Sequence, residues 1–301
     1  PNGRDGRPAC ECYRSTLPAE LGHAAAALLP LLHKNHIEAR CREVGISYPR
    51  TVLIDDLDRL AEEAKGLRFP VIAKPTRPVS AFKTIVAKSL TALEAERARL
   101  AQSMPVIVQE FIPGDDTAIR FGAMLLDHGR VVARFEGRKL RSRPMGHTTI
   151  AVSAPSDEIH ELAIRFFEGL HLSGPVSLEV KQDTDGSWFV IEPTVGRTDF
   201  WVGLCIANGI DLPVIEYRTG LGLIVPTAKQ NDRNLWLNGE RDPAALLWLL
   251  RNHPTLLLGR GIKGVYLDPT DMAPFSRMLR RRVMRVPGQL SRTMRRFLPT
   301  A

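Results

Sequence analysis

Short apolar runs that alternate with polar residues predict strands in the first half of the chain. "FPVIAKP" (69–75) is a compact strand bounded by prolines, and "FKTIVAKS" (82–89) alternates as a second strand would. We expect these two to pair, and "PVIVQEFI" (105–112) predicts a further strand that ends at the turn "PGDD". Charged amphipathic segments at 55–66 and 90–103 predict helices between them.

The second half continues this mixture with longer strands. Residues 117–153 predict two or three antiparallel strands, the first pair joined at "DHGR". "SDEIHELAIRFFEGL" (156–170) predicts a helix capped by Ser156. "GPVSLEVKQD" (174–183) and "GSWFVIEP" (186–193) predict a hairpin closed by "TDG". Because helices are mixed with antiparallel hairpins, the predicted class is α+β rather than a doubly wound parallel sheet.

Composition is ordinary for a folded protein, with 301 residues, 44% of them hydrophobic and 25% charged. The longest apolar patches, "AAAALLPLL" and "AALLWLL", are too short to cross a bilayer. The chain begins at Pro1, which we interpret as a start within a longer protein. Its four cysteines are scattered, so we expect free thiols in a reducing, cytoplasmic compartment; they are Cys10, Cys12, Cys41 and Cys205.

The net charge of +8 resides in the C-terminal tail. Residues 277–301 hold eight arginines and no Asp, Glu or Lys, so the rest of the chain sums to zero. Arginines interspersed with Met, Leu, Val and Phe are typical of a segment that contacts an anionic membrane peripherally, while Pro287 and Gly288 favour a solvated terminus. We do not expect nucleic acid as a partner.

The hairpin places two carboxylates at matched positions. Glu179 lies six residues before Asp185, and Glu192 lies six residues after Gly186. Cross-strand neighbours on one face approach within about 5 Å, so the two acids are expected to share a divalent cation. Taken singly, each acid is more often a solvated carboxylate at a strand edge.

Five segments in this order resemble the ATP-grasp superfamily, in the carboxylate-amine ligase branch that includes D-alanine ligase, the carbamoyl-phosphate synthetase domain and D-aspartate ligase. The resemblance covers about Lys34 to Gly220. It is carried by "HKNHIEARCREVGISYPRT", "FPVIAKP", "VIVQEFIPGDD", "SLEV" and "VIEPT". It implies two α+β subdomains whose antiparallel sheets grip a nucleotide between them.

The resemblance also implies which residues bind ATP. Lys74 contacts the phosphates from a strand end, with Lys34 and either Lys83 or Lys88 as further candidates. The hinge grips adenine through the backbone of Phe111 and Ile112 and the side chain of Glu110, and Asp116 is placed to bind the ribose hydroxyls. For any exposed lysine, simple solvation is the alternative.

Magnesium, as one or two ions, is implied at Glu179 and Glu192. Thr194 stands where the family usually has asparagine, and a hydroxyl coordinates less strongly. Arg197 comes one residue later than in the family pattern and is expected to face the acyl phosphate. The basic run "EGRKLRSRP" adds Arg138 and Lys139 as catalytic candidates.

The implied reaction is ATP-dependent activation of a carboxylate, which then joins to an amine or a similar nucleophile. Two alternatives stay open: a kinase of the same fold, and a weakly catalytic nucleotide-binding protein whose basic tail associates with a membrane or with nucleic acid. The predicted organisation is an N-terminal helical remnant or linker (1–33), an ATP-grasp domain (34–222, with lobes 34–112 and 113–222), a helical extension (223–276) and the basic tail (277–301).

Overall fold

The computed structural model describes residue 28 and residues 30–77, 80–268 and 270–281. Cys10, Cys12, the N-terminal remnant up to 27 and the tail from 282 onward therefore lie outside the described residues. Cys41 and Cys205 are free and buried, as predicted, and burial raises the pKa of Cys41 to about 12.

The first lobe is a four-stranded antiparallel sheet in the order β1-β4-β2-β3. Its strands are β1 (Thr51–Ile54), β2 (Val71–Pro75), β3 (Ile85–Ala87) and β4 (Val106–Glu110). Both β2 and β4 are buried along their whole length, which explains the apolar runs 71–73 and 106–108 with which they begin. One face of this sheet is covered by the short helices α2 (Leu60–Ala64), α3 (Leu90–Glu94) and α4 (Arg97–Leu100).

The second lobe is a seven-stranded sheet in the order β11-β10-β7-β6-β5-β8-β9. Its pairs are antiparallel except β10 with β11. The strands are β5 (Ile119–Asp127), β6 (Arg130–Ser142), β7 (Thr148–Ser153), β8 (Gly174–Gln182), β9 (Trp188–Val195), β10 (Asn234–Leu237) and β11 (Gly261–Gly264).

Helices cover both faces of this sheet. On one face α5 (Asp157–Phe167), capped by Ser156 as predicted, packs with α1 (Ile37–Glu43). The other face carries α6 (Trp201–Ala207) and α7 (Leu212–Gly220). Helix α8 (Ala245–Asn252) packs against β6, β7 and β10.

The α+β class with two antiparallel sheets is confirmed. The region 223–276, predicted to be helical, also contributes β10 and β11 to the second sheet. Helix α1, predicted in the smaller lobe, packs instead with α5, where the Arg40 side chain donates to the carbonyl of Phe166 at 2.8 Å. Among the described residues no helix is long and apolar enough to span a bilayer.

Candidate active site

The two acids of the predicted hairpin lie directly opposite each other. Glu179 of β8 pairs with Glu192 of β9, while the next pair toward the turn is Val180 with Val190. Ile191 is therefore an extra residue in β9, a β-bulge that shifts the register by one. Without it, the register at the turn would place Glu179 opposite Ile191 and put Glu192 on the other face of the sheet.

Each acid is held by a lysine from a different element. Lys139 of β6 contacts Glu179 at 2.6 Å, and Lys34, beside α1, contacts Glu192 at 2.9 Å. Burial alone raises the pKa of Glu192, but the Lys34 ammonium and then Lys74 outweigh it and hold this pKa at about 2. Glu192 is therefore an anion at neutral pH.

A divalent cation fits this pair by donor chemistry. Two opposed carboxylates supply the hard oxygen ligands that Mg²⁺ prefers, and the ion commonly takes its other ligands from substrate phosphates and water. No group of three His, Cys, Asp or Glu residues suited to a metal occurs within the described ranges, so phosphate oxygens would have to complete the coordination. Two cavities, described below, meet at the paired acids. Thr194, two residues beyond Glu192, lines the second of them.

Lys74 reaches the same cavity from the first lobe. Its side chain is buried, and its ammonium donates to the side-chain oxygen of Gln109 at 3.0 Å. Burial lowers the pKa of Lys74 to about 8, although Glu192 raises it. Lys83 lies at the same opening, where its ammonium donates to the carbonyl of Gly146. The structure therefore brings together Lys34, Lys74 and Lys83, whereas the alternative candidate Lys88 is exposed and does not line this cavity.

The first cavity has a volume of about 440 Å³ and lies between the two sheets. Its hinge wall includes Glu110, Phe111 and Ile112. The N–H of Phe111 donates to the carbonyl of Pro70 at 3.0 Å, whereas the N–H of Ile112 has no acceptor in the described part of the chain. At the hinge, Ile112 is therefore the better backbone donor for a purine.

Glu110 does not offer its carboxylate to the cavity in the predicted way. The oxygens bind the backbone N–H of Arg68 at 2.9 Å and its guanidinium at 2.9 and 3.0 Å. These contacts lower the pKa of Glu110, although burial raises it. The Glu110 side chain thus fixes the entry to β2 through its contacts with Arg68.

Asp116 lines the cavity, where one carboxylate oxygen accepts from the N–H of Ser142 at 2.6 Å. That bond joins the 3₁₀ turn Asp116–Ala118 to the end of β6. The other oxygen has no hydrogen-bond donor among the described residues, and binding of the ribose hydroxyls by Asp116 stays a prediction.

Arg138 is a wrong prediction. Residues alternate in direction along a strand, so Arg138 and Lys139 point to opposite faces of β6. Arg138 lies opposite Arg120 of β5 and Val152 of β7, away from both cavities, and burial lowers its pKa. Lys139 takes the inward position, where its ammonium also lies 5.3 Å from the ring centre of Phe200.

A second cavity of about 270 Å³ adjoins the first. The two share Lys83, Lys139, Glu179 and Glu192 in their walls. Arg197 lines the second cavity from the loop after β9 and lies 3.4 Å from Asp199. The predicted arginine therefore does face the space next to the paired acids.

Three features of the first cavity have no counterpart in the sequence analysis. The buried ammonium of Lys181 donates to the carbonyls of Ile112 at 2.8 Å and Gly114 at 2.6 Å, which fixes the hinge. Gln109 positions Lys74. Trp248 of α8 completes the wall, with the guanidinium of Arg141 located 5.0 Å from its ring centre.

Comparisons with known proteins agree with the fold. No family model matches the sequence. A curated relative, D-aspartate ligase of Enterococcus faecium, is 24% identical over 204 residues, which are 60% of this chain and 48% of that protein.

The solved structures include biotin carboxylase of Campylobacter jejuni, with a TM-score of 0.58 and 15% identity over 74% of this chain and 55% of that one. N5-carboxyaminoimidazole ribonucleotide synthetase of Thermus thermophilus has a TM-score of 0.55 and 19% identity, over 73% of this chain and 59% of that one. An ADP complex of the same type of synthetase has a TM-score of 0.57 and 15% identity, over 69% of this chain and 55% of that one. The ATP-grasp fold is thereby confirmed, and the chain spans about half the length of the relatives it matches.

Proposed function

We propose that this protein is a magnesium- and ATP-dependent ligase, which activates a carboxylate as an acyl phosphate and joins it to an amine or a similar nucleophile. The observation that carries the proposal is the opposed pair Glu179 and Glu192 at the junction of the two cavities. One cavity has a purine hinge, and the other is lined by arginines. Nucleotide-bound neighbours, such as the ADP complex, support the choice of ligand.

The position of each residue in the first cavity indicates its role in binding the nucleotide. The hinge at Ile112 and the wall at Trp248 would hold the nucleoside, and Asp116 would bind its ribose. The ammonium groups of Lys74 and Lys83 would neutralise phosphate charge and hold the transferring group in line. Lys34 and Lys139 keep the two acids oriented until phosphates arrive.

Magnesium, when bound at Glu179 and Glu192, would supply charge neutralisation on the phosphates. Arg197 and Lys139 would then stabilise negative charge on the transferring phosphoryl group and on the carbonyl oxygen during attack. A carboxylate oxygen attacks the γ-phosphorus and ADP leaves. The amine nitrogen then attacks the acyl carbon, phosphate leaves and the amine loses a proton.

A kinase of the same fold remains the alternative reaction, because phosphoryl transfer needs the same acids and lysines. Hydroxylamine separates the two, since it converts an acyl phosphate to a hydroxamate and does not react in this way with a phosphate ester. We expect a hydroxamate from protein, Mg·ATP, hydroxylamine and a panel of acids, beginning with D-aspartate, after which the relative is named. ADP release with a hydroxyl substrate and no hydroxamate would favour the kinase.

The basic tail carries a second proposal, a peripheral contact with anionic membrane by a protein of the cytoplasm. Support comes from the described start of the tail, where helical residues 273–281 carry Arg277, Arg280 and Arg281 beside the exposed Leu279. Binding of the protein to anionic but not to neutral vesicles, with loss of that binding at high salt, would support the membrane contact.

Tight nucleotide binding without turnover would favour the alternative of a weakly catalytic nucleotide-binding protein.

A further inference from the structure

The second cavity holds polar groups that the acyl-transfer chemistry does not use. Beyond the shared acids and lysines, its lining includes His147, Asn238 and Arg241, with Trp236 and Phe200 as apolar wall. Asn238 and Arg241 follow β10, beyond the segment that resembles the ATP-grasp family. They therefore belong to a region that the sequence resemblance does not cover.

Arg241 is a guanidinium without a carboxylate partner. One of its nitrogens lies 2.7 Å from Nδ1 of His147, and its backbone N–H donates to the side-chain oxygen of Asn238 at 3.0 Å. Within the described residues it forms no ion pair, in contrast to Arg197, which lies beside Asp199. A guanidinium that is positioned but not neutralised is suited to an external anion.

His147 extends this anion site. A guanidinium only donates, so Nδ1 of His147 accepts, and the neutral ring then carries its proton on Nε2. Burial lowers the pKa of His147, and the neighbouring Lys83 and Arg241 lower it further, while Asp199 opposes them. The ring is therefore a neutral donor beside a cation rather than a second charge.

The size of the cavity limits the ligand. A volume of about 270 Å³ has room for about nine water-sized groups at roughly 30 Å³ each, so the ligand must be small. The same cavity is lined by Glu179, Glu192 and Arg197 and by Arg241.

We propose that Arg241 binds a second anionic group on the acid substrate, so that this site takes a small dicarboxylate of which one carboxylate is activated. The inference rests on the proposed function. The carboxylate bound by Arg241 keeps its covalent bonds throughout. The second carboxylate of the substrate gains a P–O bond as ADP leaves. Its acyl carbon then loses its C–O bond to phosphate and gains a bond to nitrogen. His147 acts through Arg241 as a positioning residue.

The test is hydroxamate formation by the full chain with Mg·ATP and hydroxylamine. Succinate and glutarate are compared with butyrate and valerate, which match them in length but lack the second charge. We expect KM for the diacids to be at least tenfold below that for the monoacids. Arg241→Gln should abolish this preference while changing KM for ATP less than twofold. Arg251→Gln, an exposed arginine on α8 that lines neither cavity, is the matched control.

His147→Asn tests whether His147 positions Arg241 for the substrate or only supports the local structure. Asparagine can offer Arg241 an acceptor but lacks the Nε2–H donor, so we expect an intermediate KM for succinate with unchanged kcat. Equal KM values for diacids and monoacids, no product from any diacid, or a diacid preference that survives in Arg241→Gln would overturn the inference. An effect of Arg241→Gln on KM for the nucleophile alone would also overturn it. Failure of Mg·ATP to raise the melting temperature would instead remove the proposed function itself.

Discussion

Glu179 and Glu192 face each other because one extra residue, Ile191, interrupts the pairing of β8 with β9. The turn between the strands sets one register, and the bulge changes it by a single position before the acids are reached. A displacement of one residue reverses the face of every side chain beyond it. The proposed metal site therefore depends on a backbone irregularity as well as on the two acids.

Lys74 gives nucleotide binding a defined pH dependence. Its native pKa of about 8 lies below the ordinary 10.5 because of burial. Phosphate binds the protonated form, so the Kd for ATP should rise as pH passes 8, by up to about tenfold per unit for a single proton. Titration calorimetry from pH 7 to 9 measures this. The slope should disappear in Lys74→Met and persist in Lys88→Met, an exposed control outside both cavities.

The same shift sets a stability dependence of definite sign. Between pH 8 and 10.5 the unfolded chain binds a proton at Lys74 that the native chain has lost. The free energy of unfolding attributable to Lys74 therefore rises with pH across this window, and the cost of burying the ammonium is felt in full below pH 8. Lys74→Met should consequently stabilise the protein at pH 7 and lose this advantage by pH 10. A larger advantage at pH 10 would contradict the assignment.

Lys181 should control the hinge. Lys181→Met leaves the carbonyls of Ile112 and Gly114 without their donor. We expect the free energy of unfolding to fall by about 1–3 kcal/mol and the Kd for ATP to rise severalfold. Urea unfolding and calorimetry provide the two readouts, and Lys65→Met, an exposed lysine after α2, serves as control. Unchanged ATP affinity in a folded Lys181→Met protein would show that the hinge does not need this residue.

Trp248 should report on nucleotide binding. Its ring lies 5.0 Å from the Arg141 guanidinium, which Asp242 holds at 2.5 Å. A nucleoside that binds beside this pair should change the indole fluorescence of Trp248. Trp248→Leu should remove that change. It should also weaken ATP binding about three- to tenfold, because about 0.5–1.5 kcal/mol of contact energy with the ring is lost. Leu247→Ala, at a 70% exposed position on the same helix, should do neither. A fluorescence change that persists without Trp248 would place the nucleoside elsewhere.

Much of this arrangement could be predicted from the sequence. The apolar runs of β2 and β4, the cap of α5 and the hairpin turn all depend on local chemistry. The turn "TDG" lies where the sequence predicts it, at 184–186, and the acids pair as predicted. Equal counts from Asp185 and Gly186 do not reveal that a three-residue turn needs the compensating bulge at Ile191.

The remaining features depend on tertiary packing. Arg138 and Lys139 are chemically alike in sequence, and only the direction of β6 decides which one faces the cavity. The sequence assigns Glu110 to adenine because nothing local indicates that Arg68 reaches it. Trp248 comes from a region beyond the resemblance, and its helical spacing predicts core packing without showing that the cavity ends there.

Magnesium-dependent ATP binding by Glu192→Gln and Glu179→Gln tests the central claim most directly. Calorimetry with and without Mg²⁺ should show that the ion strengthens ATP binding by the wild-type protein at least tenfold. Either variant should lose this gain while retaining or improving its metal-free ATP affinity, because a negative charge beside the phosphates has been removed. Glu62→Gln, an exposed acid on α2, should behave as wild type. A full magnesium effect in both folded variants would contradict the account.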